Sequence, residues 1–100
     1  MVPYINCFQA SPDLDDEFLR RWRATSSYMR DKPGFLGLRL HKVVSNSAAN
    51  RYVNYVQWRS AEEWQAAHDA GFRALVQDAP WDGHLGQIYE VVESAGVIDL

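Results

Sequence analysis

The chain has 100 residues, 47% of them hydrophobic, 23% charged and 13% aromatic, the balance of one globular domain spanning 1–100 that is too short to divide and still bury two cores. That composition excludes disorder, collagen and coiled coil, and apolar runs of only a few residues exclude a transmembrane helix. A net charge of −3 argues against a nucleic-acid partner, which calls for a concentrated positive field.

Tyr4 to Gln9 reads as a short strand, closed by Ser11-Pro12-Asp13, a turn leading into a helix start. From Leu14 the apolar positions Leu14, Phe18, Trp22 and Met29, with Leu19 beside them, form one stripe of an amphipathic helix. Its first turn carries Asp15, Asp16 and Glu17 and its later turns Arg20, Arg21, Arg23 and Arg30, the order the helix dipole favours. The helix must stop before Pro33-Gly34. Phe35 to Val44 is predicted as the second strand, with Leu36, Leu38 and Leu40 on one face and Phe35, Arg39, His41 and Val43 on the other. Ser45 to Asn50 makes a polar hairpin loop. Arg51 to Trp58, rich in β-branched and aromatic residues, is the third strand. Tyr52, Asn54, Val56 and Trp58 share one of its faces; Val53, Tyr55 and Gln57 share the other. Ser60, with Glu63 three residues on, is a capping-box pattern. It opens a helix that carries Trp64, Ala67 and His68 on adjoining turns until Gly71, followed by a shorter helical piece from Phe72 to Val76. Asp78 to Gly83 is expected as a loop, Ile88 to Glu93 as the last strand, and the remainder as a tail.

The order β-α-β-β-α-β is the split βαβ arrangement of ferredoxin-like α+β folds, a four-stranded antiparallel sheet with both helices on one face. If the helices cover Leu36, Leu38, Leu40, Val56 and Trp58, the opposite face still presents Ile5, Cys7, Phe35, Val43, Val53 and Tyr55. That is too much apolar surface for a monomer to leave in water. A second copy of the chain is the simplest cover, so a homodimer is expected. The N-terminal Met-Val-Pro-Tyr-Ile-Asn has no basic stretch ahead of an apolar run, so no secretory signal is read there. The expectation is a soluble cytoplasmic protein with no membrane partner. Lone Cys7 reads as a small buried hydrophobe, unable to form an internal disulfide.

Among possible sites, metal binding comes out poorly. His41, His68 and His84 have neither the helical nor the strand spacing that aims two imidazoles at one ion. The glycines form no phosphate-cradling run, and there is no serine nucleophile elbow. Asn54 is the polar residue that stands out, mid-strand on the same face as Val56 and Trp58. A buried primary amide needs several hydrogen-bond partners, so it either ties a loop or helix end or faces a cavity and holds a ligand oxygen. Asn6, on the first strand with Tyr4 and Phe8, poses the same question. Trp58 and Trp64 bracket the start of the second helix, as plugs of the core or as planar walls of a slot for a flat ligand. His41 reads as a half-exposed strand residue, or as a proton acceptor if it faces a pocket. Arg73 is a solvated helix charge or a group that steadies an anionic substrate.

The stretch Pro-Gly-Phe-Leu-Gly-Leu-Arg-Leu-His (Pro33 to His41), the hairpin loop and then Tyr-Val-Asn-Tyr-Val-Gln-Trp-Arg-Ser (Tyr52 to Ser60) resemble the antibiotic biosynthesis monooxygenase family. The likeness is greatest to its cofactor-free members that oxidise anthrone-type aromatic polyketides to quinones. It implies a dimer whose two sheets pack into an α+β barrel, with a pocket in each subunit between sheet and helices. It also implies that Asn54 and Trp58 match the pocket Asn and Trp of the quinone-forming members, and His41 the His that follows their Pro-Gly-Phe segment. Six residues past the Trp those members carry a Tyr that handles protons; this chain has Trp64, which accepts none. Arg73 stands near their helical Arg. Haem-degrading branches of the family use a pocket Asn and Trp with a haem-ligating His. Asn6 could fill the first role, but the stretch after Phe72 (Arg-Ala-Leu-Val-Gln) lacks that His, which disfavours haem degradation.

The resulting expectation is oxidation of a flat phenolic or anthrone-type molecule by dioxygen, without metal, flavin or nicotinamide. Dioxygen is a triplet and reacts only once something gives it one electron; a deprotonated polyphenol can do so itself. The protein then needs a dry slot, a base and donors for the developing phenolate. Asn54, Trp58 and His41 are the expected catalytic residues, with Trp64, Asn6 and Arg73 around the substrate. Isomerisation or haem handling on the same fold, and a non-catalytic dimeric binding module, are the alternatives.

Overall fold

β1 (Val2–Gln9) takes the interior of a four-stranded antiparallel sheet because both its edges find partners: β3 (Tyr52–Trp58) on one side and β4 (Asp82–Ile88) on the other. β2 (Phe35–Lys42) pairs with β3 and completes the order β2-β3-β1-β4. α1 (Asp15–Met29), entered through a 3-10 turn at Pro12–Leu14, links β1 to β2; α2 (Ala61–Ala67) and α3 (Ala70–Val76) link β3 to β4. The computed structural model describes residues 1–45 and 51–96, and of residues 82–85 the backbone alone. All but Ser45 of the expected hairpin loop therefore lies outside the described residues. The architecture is the ferredoxin-like α+β fold expected from the element order, and among the described residues no helix is long and apolar enough to cross a membrane.

Two apolar clusters lie between the sheet and the helices. In one, Met29 of α1 and Ala67 of α2 meet Val56 and Trp58 of β3; in the other, Phe18 of α1 packs on Tyr52, rings stacked with centroids 4.1 Å apart. The alternation expected for β3 holds: Tyr52, Val56 and Trp58 are buried on the helix side. The opposite face of the sheet carries Ile5, Cys7, Val53 and Tyr55, paired across β1 and β3. Ser60 caps α2 as its pattern predicts, accepting a hydrogen bond from the Glu63 amide at 3.2 Å. Gly34, at φ +88°, makes the turn after α1 that a side chain would strain.

Three expectations are corrected. A register shift between Phe35 and Gly37 places a bulge at the start of β2. The extra residue reverses the alternation, so Phe35 joins the core with Leu38 while Leu36, expected inside, is 52% exposed. The helix read through to Gly71 breaks at His68, because the Asp69 side chain accepts from the Phe72 amide at 3.0 Å and starts a new helix. The last strand is Asp82–Ile88 rather than Ile88 to Glu93. Antiparallel to β1, it meets Tyr4 at Ile88; one more ladder bond, from the Tyr89 amide to Pro3 O, brings it to the beginning of β1. Val91 and Val92 have the higher strand propensity, but β1 offers them nothing to pair with, and they are exposed.

Asp15, the first residue of α1, binds the helix to the β2–β3 edge. Its carboxylate accepts from Tyr52 Oη at 2.7 Å, Arg51 Nη2 at 2.9 Å and Lys42 Nζ at 3.1 Å. The Tyr52 hydrogen bond, with those of Arg51 and Lys42, outweighs desolvation and holds its pKa down at about 2. Desolvation, with Asp15 alongside, pushes Tyr52 up to about 12. A carboxylate so depressed stabilises the fold fully above the unfolded value of about 4 and loses that contribution as pH falls through the folded one. Asp15→Asn should therefore cost ~1–3 kcal/mol at pH 7, with the gap to wild type closing as pH approaches 2. Acid-range denaturation of both proteins measures it, and a gap independent of pH would remove the carboxylate charge from the account.

Candidate active site

Alternation along β1 sends Tyr4, Asn6 and Phe8 to the helix side, and along β3 it sends Asn54, Val56 and Trp58 there. Over this floor, with α1 and α3 as walls, lies a cavity of about 490 Å³, a size that suits a small molecule. The register of the two strands sets Asn6 directly opposite Asn54. The Oδ1 of each amide is buried and has no hydrogen-bond partner among the described residues, and the same is true of Trp58 Nε1. An unmet buried polar atom costs ~1–3 kcal/mol. Asn54 therefore ties no loop or helix end, and both amides face the cavity.

His68 brings the imidazole. It lies at the C-terminal end of α2, where its Nδ1–H donates to Trp64 O at 2.7 Å. That bond fixes the tautomer and leaves Nε2 as the unprotonated nitrogen. The ring packs against Tyr4 at 5.5 Å, Trp64 at 5.2 Å and Phe72 at 4.5 Å between centroids. Burial lowers its pKa, only partly offset by the Trp64 carbonyl and Asp69, so the ring is neutral at pH 7.

Of the residues singled out in the sequence, Asn54, Trp58 and Asn6 line this cavity together. His41, Trp64 and Arg73 do not. His41 lies on β2 opposite Val53, exposed on the sheet face away from the helices, its Nδ1 3.3 Å from Val53 O. Trp64 stands behind the wall, against Tyr4 and His68. Arg73 is exposed, and its Nη1 donates to His68 O at 3.0 Å, closing the end of α2. Sequence reasoning missed His68, Tyr4 and Arg21 as cavity residues. The signal for His68 was its place on the same helical stripe as Trp64 and Ala67; for Arg21 it was the stripe Phe18, Trp22, Thr25. The lack of a His in the stretch directly after Phe72 also loses its force, since the cavity takes its imidazole from before Phe72, in the same lining as Asn6 and Trp58. Among the described residues no three His, Cys, Asp or Glu side chains converge; the His84 side chain lies outside them.

A sheet covered on one face by helices, with a largely apolar cavity lined by two amides and an imidazole, gives a ferredoxin-like fold a pocket of a size that suits a small molecule. The chain belongs to the antibiotic biosynthesis monooxygenase family, whose profile matches residues 1–77. Its fold is similar to that of a candidate monooxygenase from Shewanella loihica, with 24% identity, a TM-score of 0.81 and coverage of 93% of this chain and 95% of that one. SnoaB, a cofactor-independent oxygenase from Streptomyces nogalater, aligns at 19% identity and TM-score 0.70 over 93% and 94% of the two chains. The haem-degrader MhuD from Mycobacterium tuberculosis aligns at 23% identity and TM-score 0.68 over 96% and 100%. No curated protein sequence matches.

The lowered pKa of His68 has a consequence for stability. The unfolded chain takes up a proton near pH 6.5 that the folded ring resists, so stability falls as pH drops below that value, by at most about 1.4 kcal/mol per pH unit for one group. Urea unfolding at pH 7.5 and 5.5 should show this loss in wild type and a smaller one in His68→Gln. Equal losses would mean that His68 is not the group taking up the proton.

Proposed function

We propose that the protein is a cofactor-independent monooxygenase that oxidises a flat phenolic, anthrone-type molecule to a quinone with dioxygen. The observation that carries this is the facing pair Asn6 and Asn54 with Trp58, three unmet polar atoms among the described residues that line a largely apolar cavity. Two unpaired carbonyl oxygens call for ligand O–H donors, and an unpaired indole N–H calls for an acceptor. A hydroxylated aromatic ketone supplies both on a planar skeleton.

The chemistry follows from the same groups. His68 Nε2 takes a proton from the substrate, giving an electron-rich anion that the Trp58 N–H stabilises, while the two amide oxygens accept from the substrate's remaining O–H groups and hold the ring in place. The anion passes one electron to dioxygen; radical and superoxide combine at the methylene carbon and, with the proton from His68, form a hydroperoxide. Loss of the remaining C–H proton as the O–O bond breaks gives the ketone and water, so one oxygen atom enters the product and the other leaves as water. His68 takes the place of the Tyr that Trp64 replaces and of the distant His41.

A second reading, haem handling, has a specific observation behind it, since Asn6, Trp58 and His68 line one cavity. Among the described residues His68 Nε2 is the group that would hold the iron, from a ring already packed against Tyr4, Trp64 and Phe72. Titration with haemin separates the two: a Soret shift that His68→Gln abolishes would favour haem.

The first reading is tested by oxygen consumption with dithranol, an anthrone, in buffer treated with EDTA and free of flavin and nicotinamide. Turnover should persist there, and Asn54→Ala should lower it roughly tenfold or more while changing stability by less than ~1 kcal/mol, because no buried protein group loses a partner. A large stability loss with unchanged specific activity would sink the role of Asn54, and restoration of turnover only by added metal would sink cofactor independence.

The sheet face bearing Ile5, Cys7, Val53 and Tyr55 supports a homodimer, since the three helices cover the other side. Val53→Asp should shift sedimentation toward monomer at micromolar concentration far more than Glu63→Gln does. A wild-type protein sedimenting as a stable monomer would overturn the dimer.

A further inference from the structure

The cavity has two chemically different ends. At one, Tyr4 of β1 meets His68, ring centroids 5.5 Å apart. At the other, Phe8 of β1 leads through Phe18 at 5.2 Å to Trp81 at 5.0 Å, and the Arg21 guanidinium lies over Trp81 with its Cζ 5.6 Å from the ring. From Tyr4 to Phe8 the strand rises ~13 Å, with Asn6 at the midpoint.

Arg21 is the one charged side chain among the described residues that line this cavity. It is held in place: its Nη2 donates to Leu75 O at 3.1 Å and Gln77 O at 2.7 Å. Those bonds occupy both Nη2 hydrogens, so of its five N–H donors the Nε–H and the two on Nη1 have no protein acceptor among the described residues. No carboxylate there pairs with it. Glu17, the acid one turn earlier on α1, has both oxygens engaged by Arg20, at 2.6 and 3.0 Å. A fixed guanidinium with free donors beside an apolar slot is suited to a planar anion such as a carboxylate.

We propose that Arg21 is a specificity-determining residue, selecting substrates that carry a carboxylate at the end of the aromatic skeleton remote from His68. The proposal rests on the phenolic reading above and narrows it to acidic polyphenols. An elongated substrate then lies along β1, its phenolic end at His68, its oxygens at Asn6 and Asn54, and its carboxylate at Arg21.

The test compares two product-like probes, danthron, a dihydroxyanthraquinone, and rhein, the same skeleton with one added carboxylate, by quenching of tryptophan fluorescence at pH 7. Wild type should bind rhein about tenfold or more tightly than danthron, and salt should erode the preference. Arg21→Gln should lower rhein affinity by a larger factor than danthron affinity and erase the preference for rhein, the smaller loss for danthron reporting the bonds by which Arg21 holds α3. Equal affinity of wild type for the two probes, or an equal loss of both in Arg21→Gln, overturns the role of Arg21 and leaves the phenolic reading standing. Binding of neither probe overturns both. The wild-type comparison needs no variant, so the proposal is decided even if Arg21→Gln does not fold; Arg21→Lys, which keeps the charge, should then retain part of the preference for rhein.

Discussion

The antiparallel register of β1 against β3 governs both the fold and the site. It pairs Asn6 with Asn54 and, two residues further along β3 in each direction, places Tyr52 and Val56 on the same face. A slip of β3 by one residue would turn Asn54 to the other side of the sheet, away from Asn6, and bring the buried Tyr52, Val56 and Trp58 out with it. Burying one such large side chain stabilises by ~1.5–3 kcal/mol, about the cost of one unmet amide. The side chains that build the core thus hold two polar groups where the protein alone gives them no partner. Those unmet atoms are the strongest sign of a ligand, since a fold selected for stability alone would place valine or isoleucine there.

Walls of the cavity depend on a helix that could not stand by itself. Seven-residue α3 is far shorter than an isolated helix needs to be in water. Its first turn is held by Asp69, which accepts from Tyr28 Oη at 2.7 Å and Lys32 Nζ at 2.8 Å as well as from Phe72 N. The Lys32 bond leads these in driving the Asp69 carboxyl well below the usual range. Its far end is held by Arg21, a cation where the helix dipole favours one. Gly71 permits the close approach: a Cβ there would lie 2.3 Å from Tyr28 Oη. Phe72 and Leu75 reach the cavity because α1 clamps both ends of the helix that carries them.

How much of this could be read from the chain depended on whether the signal was periodic or spatial. The β3 alternation, the Ser60 capping box and the stop at Pro33-Gly34 are local patterns, and each was legible. The β2 bulge was not, because one extra residue leaves no mark in composition yet exchanges Phe35 for Leu36 in the core. The position of β4 was misread because Val91 and Val92 outrank the glycine-rich stretch 82–88 in propensity, whereas the length of β1 decides where pairing ends. Asn54, Trp58 and Asn6 were legible as cavity candidates because they share the face of core residues. His41 was carried by a motif, although its place in the strand alternation already put it on the far face. For the arginines, sequence offered Arg73 from its neighbourhood to Phe72; only the packing of α3 on α1 distinguishes it from Arg21.

The position of His68 carries a physical tension that the proposed substrate would resolve. Packing against Tyr4, Trp64 and Phe72 half-buries it and lowers its basicity, which by itself weakens it as a base. Proton transfer from a bound phenol, however, creates imidazolium and phenolate together, and opposite charges at close range in a poorly solvated site offset the cost of charging either one. A donor that meets the phenolate without reorganising, the Trp58 N–H, lowers that cost further. In the proposed reaction such a base is inert toward solvent protons at neutral pH and becomes effective only when an acidic, electron-rich ligand fills the cavity. Withholding basicity until the substrate is present keeps the resulting anion, once formed, within reach of dioxygen rather than of water.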